Sequence, residues 1–227
     1  MRESILTIPV SEIFEPKCGC PICRMRDMLE DRCVEYIMGA AMMEPDVREE
    51  TNKLGFCKTH FDKMLSKKNR LSLALMLKSH LDDVDEKVLA KKKLFENSKA
   101  KKQKLCDLNS NCFVCSKIDW GMERILATFF NLYEKEVEFL KIFNDQEMLC
   151  INHYEMLISI SANKLSKAKI ADFEKDCLAL VKKYLDVLRT DVSHYCNMYD
   201  YRNSGKNADW GNSKDSIERA IKFLTTR

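Results

Sequence analysis

The sequence is poor in the two residues that interrupt helices, with only 6 glycines and 4 prolines among 227 residues. So few glycines leave little room for a glycine-rich phosphate loop, and neither an HExxH motif nor a nucleophile elbow is present. No alternating β pattern is longer than residues 6–10. These absences, together with abundant Lys, Glu, Leu and Met, predict long helices and a protein without a familiar catalytic signature.

Long apolar runs and targeting signals are also missing. No stretch approaches the roughly 20 apolar residues that span a bilayer. The first 14 residues lack the basic start, apolar run and cleavage site of a secretory signal. We therefore expect a cytoplasmic protein without a membrane partner, in a compartment where thiols stay reduced. The 11 cysteines then need a role other than disulfides, and metal binding is the usual one.

A strong charge imbalance is absent as well, because the formal net charge is only +3. This balance does not by itself indicate a nucleic-acid partner. Seven lysines near the middle of the chain are the exception: Lys91, Lys92, Lys93, Lys99, Lys101, Lys102 and Lys104. We interpret them as a solvated helix end and linker, and keep nucleic acid as a weakly supported partner.

What the sequence does contain is a cysteine and histidine pattern that occurs twice. A CxxC pair precedes a CxxH pair in each half, and the second pairs follow the first by 92 and 93 residues respectively. Chance seldom produces such an offset, so the pattern indicates an internal duplication. The eight candidate metal ligands are Cys20, Cys23, Cys57, His60, Cys112, Cys115, Cys150 and His153.

Thiolate and imidazole ligands, four to a site, are typical of structural zinc. The 33 and 34 residues between CxxC and CxxH suit one helix out and one helix back. We therefore expect each half to close its own Cys3His site, with ligand pairing between halves as the alternative. Four protein ligands leave no position for water, which favours a structural role over hydrolysis. Two zinc ions are predicted in preference to iron–sulfur clusters or a redox dithiol.

The remaining cysteines and histidines have simpler interpretations. Three cysteines lie on apolar helix faces and are expected to act as small packing residues: Cys33, Cys177 and Cys196. Two more stand close enough to a motif to replace a ligand: Cys18 and Cys106. His80 and His194 belong to no CxxH pair and are expected to be packed or surface histidines.

The same order of helices surrounds both motif pairs. A long helix follows each CxxC (24–43 and 116–134), a shorter helix follows it, another begins at each CxxH, and a long amphipathic segment ends each half. We predict an all-α duplicated helical bundle in which each half has a CxxC…CxxH zinc site. Its predicted parts are zinc-binding repeats at 1–95 and 111–200, a lysine-rich join at 96–110, and a loop and C-terminal helix at 201–227.

One segment has no counterpart in the other half, the run Met42–Arg48 followed by Thr51 and Asn52. A duplicated scaffold that specialises does so in one copy, which makes this segment the candidate functional surface. Its members are Glu44, Asp46, Arg48, Thr51 and Asn52. The alternative is helix capping, with Pro45 at the first helical position and Asp46 complementing the dipole.

Several of these runs together resemble a known family. They are Ile8–Val10 with the following Cys-Pro-Ile-Cys, the Met-Met-Glu-Pro-Asp-Val-Arg block, and Gly55–Phe61. The chain resembles, over nearly its whole length, an uncharacterised family of cytoplasmic proteins from Firmicutes-type anaerobic bacteria. That family has no assigned activity, so the resemblance implies no mechanism.

Three functions follow as hypotheses. The leading one is a non-enzymatic, zinc-stabilised helical protein that binds a partner, expected to be a protein. The second is a metal- or redox-responsive regulator that releases zinc when its thiolates oxidise. The third is an enzyme with a cleft near residues 44–52, for which no catalytic constellation is visible.

Overall fold

The computed structural model describes residues 8–89, 98–200, 202 and 209–226. Within these ranges the regular structure is helical and contains no strand, which confirms the all-α prediction. Among them, no helix combines the length and apolar composition needed to cross a membrane. The helices in chain order are α1 (Ile8–Phe14), α2 (Pro21–Met38), α3 (Pro45–Leu54), α4 (Lys58–Ser66), α5 (Arg70–Val84), α6 (Ser98–Ser110), α7 (Phe113–Lys135), α8 (Val137–Asn144), α9 (Ile151–Lys164), α10 (Lys167–Asn197) and α11 (Ser216–Thr225).

The chain forms two compact units. The terminal unit contains residues 1–25 and 124–227, and the central unit contains residues 26–123. The boundaries of these units fall inside α2 and α7, so they do not coincide with the repeat ranges predicted from the sequence. The described part of the lysine-rich join is helix α6, which belongs to the central unit.

An aromatic cluster forms the core of the terminal unit. Phe129 lies at its centre, fully buried, with its ring centroid 5.1–6.1 Å from those of five other phenylalanines. Tyr133, one helical turn further along α7, packs edge-on against Phe173 and donates a 2.7 Å hydrogen bond to Asp176. Edge-to-face packing of this kind fixes the position of α7 within the unit.

Aliphatic and methionine side chains form the core of the central unit. Its buried members include Val34, Ile37, Met64, Met76, Phe113 and Ile118. Helices α2 and α7 approach closely here at Gly121, where a Cβ atom would stand only 2.9 Å from a methyl carbon of Leu29. Glycine at this position therefore permits close packing between the two helices that carry the CxxC motifs.

Candidate metal centres

Every predicted ligand lies at the start of a helix. Cys57 and Cys150 are the N-cap residues of α4 and α9, and Cys20 and Cys112 directly precede α2 and α7. The second member of each motif comes three residues later, on the same face of the first helical turn. Unpaired N–H groups and the helix dipole at these ends favour negatively charged sulfur.

The first cluster, here called the terminal site, lies in the terminal unit. It combines Cys20 and Cys23 at the start of α2 with Cys150 and His153 at the start of α9. The Cys150 Sγ atom lies 3.7 Å from the Sγ of Cys20 and 3.8 Å from that of Cys23. The Nδ1 atom of His153 lies 3.1–3.5 Å from the three sulfurs. All three cysteines are buried.

The second cluster, the central site, lies in the central unit. It combines Cys57 and His60 at the start of α4 with Cys112 and Cys115 at the start of α7. The Nδ1 atom of His60 lies 3.1 Å from the Sγ of Cys57, 3.2 Å from that of Cys112 and 3.5 Å from that of Cys115. His60 and Cys112 are buried, whereas Cys57 and Cys115 are half-buried. Each cluster is a tetrahedral-like group that could hold one metal ion.

The pairing of the motifs corrects the expectation that each half closes its own site. Each CxxC instead meets the CxxH of the other half. In the first half, the two helices between CxxC and CxxH are unequal in length, with 18 residues in α2 and 10 in α3. In the second half, α7 has 23 residues and α8 has 8. Neither half therefore contains the matched pair of helices, one out and one back, on which the expectation of a site within each half rested.

The thiols of each cluster differ in their tendency to ionise. Burial opposes ionisation of Cys20, but hydrogen bonds from Cys150 and Cys23 outweigh it and lower the pKa of Cys20 well below its usual range. The hydrogen bond with Cys20 in turn raises the pKa of Cys150 to about 12. In the central site, burial and the charge of Cys112 raise the pKa of Cys115 to about 12. Clustered thiols that resist ionising together are suited to a bound cation, which removes the repulsion.

Sequence comparison assigns the chain to a protein family. Residues 1–227 match the family model described as "Family of unknown function (DUF6062)". The chain belongs to this family. Searches of curated proteins and of solved structures returned no significant match. Membership of DUF6062 agrees with the resemblance to an uncharacterised family and assigns no activity.

A polar network holds the two sides of the terminal site of this DUF6062 chain together. The Arg24 guanidinium donates to the backbone carbonyl of Ile13 at 2.7 Å and to the side-chain oxygen of Gln146 at 2.9 Å. Gln146, fully buried, also donates to the carbonyl of Phe14 at 2.7 Å. The backbone N–H of Gly19, just before Cys20, donates to the Glu147 carboxylate. These contacts tie the CxxC turn to the α8–α9 loop that leads to Cys150.

A glutamate that the sequence reasoning missed supports the central site. The Nε2 atom of His60 lies 2.9 Å from an oxygen of Glu30, and the Glu30 side chain is only 8% exposed. In the sequence this residue is one acidic side chain on an amphipathic helix, which is typical of a solvated face. The sequence gives one indication that Glu30 is special, which is a difference between the repeats. The 92-residue offset aligns Asp27 with Asp119 and Arg32 with Arg124, but it aligns Glu30 with Met122.

The other cysteines and histidines lie outside both clusters. Within the described residues, neither group includes Cys18 or Cys106, both exposed, or the packing residues proposed from the sequence. Of those, Cys177 is buried and Cys33 half-buried, while Cys196 is exposed. His80 packs against Gly55, and its Nδ1 atom lies 3.1 Å from the Asn52 carbonyl. The Nε2 atom of His194 lies 2.9 Å from the carbonyl of Asp209.

The candidate functional surface makes the contacts of a helix start. Pro45 occupies the first turn of α3 with Asp46 beside it, and Glu44 is its N-cap residue. Thr51 is buried and donates its hydroxyl to the Arg48 carbonyl at 3.0 Å. Arg48 itself donates to the carbonyl of Met42 at 3.4 Å, and the Asn52 side chain accepts a hydrogen bond from Ser79 at 3.1 Å. These contacts are local to α3 and the segments packed against it, and the functional-surface hypothesis stays a prediction.

The lysine-rich stretch is only partly described. Lys99 and Lys102 are exposed on α6. Lys91, Lys92 and Lys93 lie outside the described residues, and so do the side chains of Lys101 and Lys104. The nucleic-acid hypothesis therefore stays a prediction.

Proposed function

We propose that this protein is a zinc-binding helical protein with two structural Cys3His sites, which acts by binding a partner and not as an enzyme. The spacing of the ligand atoms supports zinc. A tetrahedral zinc ion with bonds of about 2.3 Å to sulfur and about 2.05 Å to nitrogen sets its ligands about 3.8 Å (S–S) and about 3.6 Å (S–N) apart. In the structure three sulfur pairs lie 3.7–4.0 Å apart, the sulfur–nitrogen distances are 3.1–3.5 Å, and all ligand atoms of a site lie within 4.8 Å of one another.

The same distances argue against the competing chemistries. A disulfide needs sulfurs about 2.05 Å apart, far closer than the 3.7 Å between Cys20 and Cys150. A four-iron cluster binds each protein ligand to a different iron, which spreads the ligands further than one shared ion does. A single tetrahedral ion in each site fits best.

Both sites are completed by protein ligands, which favours a structural role. Each would carry three thiolates and one imidazole, leaving no coordination position for water or substrate. Structural zinc contributes on the order of 10–16 kcal/mol to the folding of small domains, which is comparable to the whole stability of a typical domain. We therefore propose that each metal ion holds together two helix N-termini that lie far apart in the sequence.

The partner part of the proposal is supported by an apolar stripe in the terminal unit. Ile217, Ile221 and Leu224 recur at helical spacing on α11 and are 41–58% exposed. Beside them is a groove of about 290 Å³ between α10 and α11, whose lining includes Leu185 and Val192. An amphipathic helix of a protein partner, with apolar residues at the same spacing, is the occupant that suits such a surface.

Elemental analysis of the purified protein tests the metal part. We expect two equivalents of zinc per chain, whereas iron or no metal would overturn the proposal. For the partner part, a photo-crosslinking residue is placed at Ile221 or, as the control, at Lys222, which is exposed on a different face of α11. The same discrete protein adduct should form from position 221 and not from 222. Equal labelling at both positions would contradict a partner-binding stripe.

Exposure at the central site favours a second candidate function, a redox- or metal-responsive regulator. Cys57 and Cys115 are half-buried, so an oxidant has access to two thiolates that hold the metal. Peroxide titration with a zinc-release dye decides this function. Release of one equivalent at near-stoichiometric peroxide supports it, and full retention of zinc rejects it.

A further inference from the structure

We propose that Glu30 is a positioning residue that orients His60 and strengthens metal binding at the central site alone. The inference rests on the proposed zinc sites, and it makes the two sites of the duplicated chain unequal. The inference rests on the buried polar groups that surround His60.

The geometry divides the two ring nitrogens of His60 between different partners. Nδ1 faces the sulfurs of Cys57 and Cys112, at 3.1 and 3.2 Å. Nε2 faces the Glu30 carboxylate at 2.9 Å. A nitrogen that binds a metal must be free of its proton, so the proton of the neutral ring belongs on Nε2, where Glu30 accepts it. The carboxylate therefore fixes both the tautomer and the direction of the ring.

Burial makes this contact strong. The side chains of His60 and Glu30 are 2% and 8% exposed. The second Glu30 oxygen lies 2.7 Å from the Lys63 ammonium, so the buried carboxylate is paired on both sides. When a cation binds Nδ1, the opposite N–H becomes a better donor and the hydrogen bond to Glu30 tightens. Because coupling is reciprocal, Glu30 must raise the affinity of the site for the metal.

The terminal site lacks this support. Ungapped alignment of α2 with α7 places Met122 opposite Glu30. The Met122 side chain packs against the core of the central unit, and a thioether would in any case be only a weak acceptor. Among the residues that the structure describes, no carboxylate contacts Nε2 of His153. Within the described ranges, both ligand sets are present and the carboxylate–histidine pair occurs at the central site alone.

Zinc competition with a calibrated chelator tests the role of Glu30 in the full-length chain. Wild type should show two binding steps, and Cys57→Ser identifies the step that belongs to the central site. Glu30→Ala should weaken that step by about 10–100-fold and leave the other unchanged. Glu30→Gln, which keeps a hydrogen-bond acceptor without the charge, should fall between wild type and Glu30→Ala.

Asp31→Asn is the matched control. Asp31 is the next residue on α2, is 52% exposed and contacts Lys63 at 3.0 Å. Its loss should change zinc affinity by less than about fivefold. If Glu30→Ala does not fold, Glu30→Gln is measured in its place, and a weaker central step is still expected. Unchanged affinity in a folded Glu30 variant, or equal weakening of both steps, overturns the inference. Absence of zinc from wild type would instead reject the proposed function.

Discussion

The backbone N–H of Phe113 donates a 2.9 Å hydrogen bond to the carbonyl oxygen of Gly55. Phe113 is the first residue of α7 and follows Cys112, whereas Gly55 stands two residues before Cys57. A CxxC from one half of the sequence is thereby joined to a CxxH from the other by the main chain as well as by the ligand side chains. The crossed pairing has consequences that can be measured.

Paired serine substitutions distinguish crossed from uncrossed sites. Cys57→Ser with Cys112→Ser damages only the central site, so this double variant should retain one zinc per chain. Cys20→Ser with Cys57→Ser damages both sites and should retain none. Pairing within each half predicts the reverse result for the two variants. Elemental analysis of the folded fraction, isolated by size exclusion, gives the answer.

Gly55→Ala should destabilise the central unit. Gly55 has φ +62° and ψ −160°, a conformation that costs a residue with a side chain about 1–3 kcal/mol. A Cβ atom there would also stand 3.2 Å from the His80 ring. Gly19→Ala is the control, since Gly19 has φ +63° and nothing within 4 Å of the added carbon. Urea unfolding of the zinc-loaded proteins should show the larger loss for Gly55→Ala, and equal losses would exclude a role for His80.

Phe129→Ala should be among the most damaging changes in the terminal unit. Removing a fully buried ring from the centre of the aromatic cluster costs about 3–5 kcal/mol. Val137→Ala provides the comparison, because Val137 is 68% exposed and should lie within about 0.5 kcal/mol of wild type. Chemical denaturation followed by circular dichroism measures both. A loss below about 1 kcal/mol for Phe129→Ala would contradict the cluster.

Alkylation of Cys33 should depend steeply on pH. Burial raises the pKa of the Cys33 thiol to about 11, with the nearby Lys117 ammonium acting in the opposite direction. Only the thiolate reacts, so at pH 8 about 0.1% of the residue is reactive. The rate should rise about tenfold per pH unit between 8 and 10. Lys117→Met removes the lowering influence and should slow the reaction further. Peptide mass spectrometry follows the rate, and a faster Lys117→Met reaction would contradict this account.

Local features of the fold could be predicted from the sequence, because their causes are local. The sequence predicts a helix at each CxxH, and α4 and α9 begin at Lys58 and Ile151, two residues before His60 and His153. The helix expected over 24–43 is shorter, since α2 ends at Met38 before Gly39 and a short 3₁₀ turn follows at Ala40–Met43. The spacing of apolar residues does not indicate that the helix ends at Met38.

Long-range features could not be predicted in the same way. The spacing between motifs is nearly equal in the two halves, so it allows both pairings of CxxC with CxxH. The three-dimensional structure decides between them, because each CxxC lies beside the CxxH of the other half. Glu30 was missed because its role depends on a ring 30 residues away in sequence. A charge on a helix gives no sign of such a partner until the fold brings the two together.

Because the pairing is crossed, one site is nested within the other along the chain. His60 and Cys112 of the central site are 52 residues apart, while Cys23 and Cys150 of the terminal site are 127 apart. Closing the shorter loop costs about 0.8 kcal/mol less entropy. Cys115 is also synthesised 35 residues before Cys150, roughly 2–7 s earlier on a translating ribosome. We therefore expect the central site to bind its metal while the terminal site is still incomplete. The metal available in the cell would then bind the chain during its synthesis.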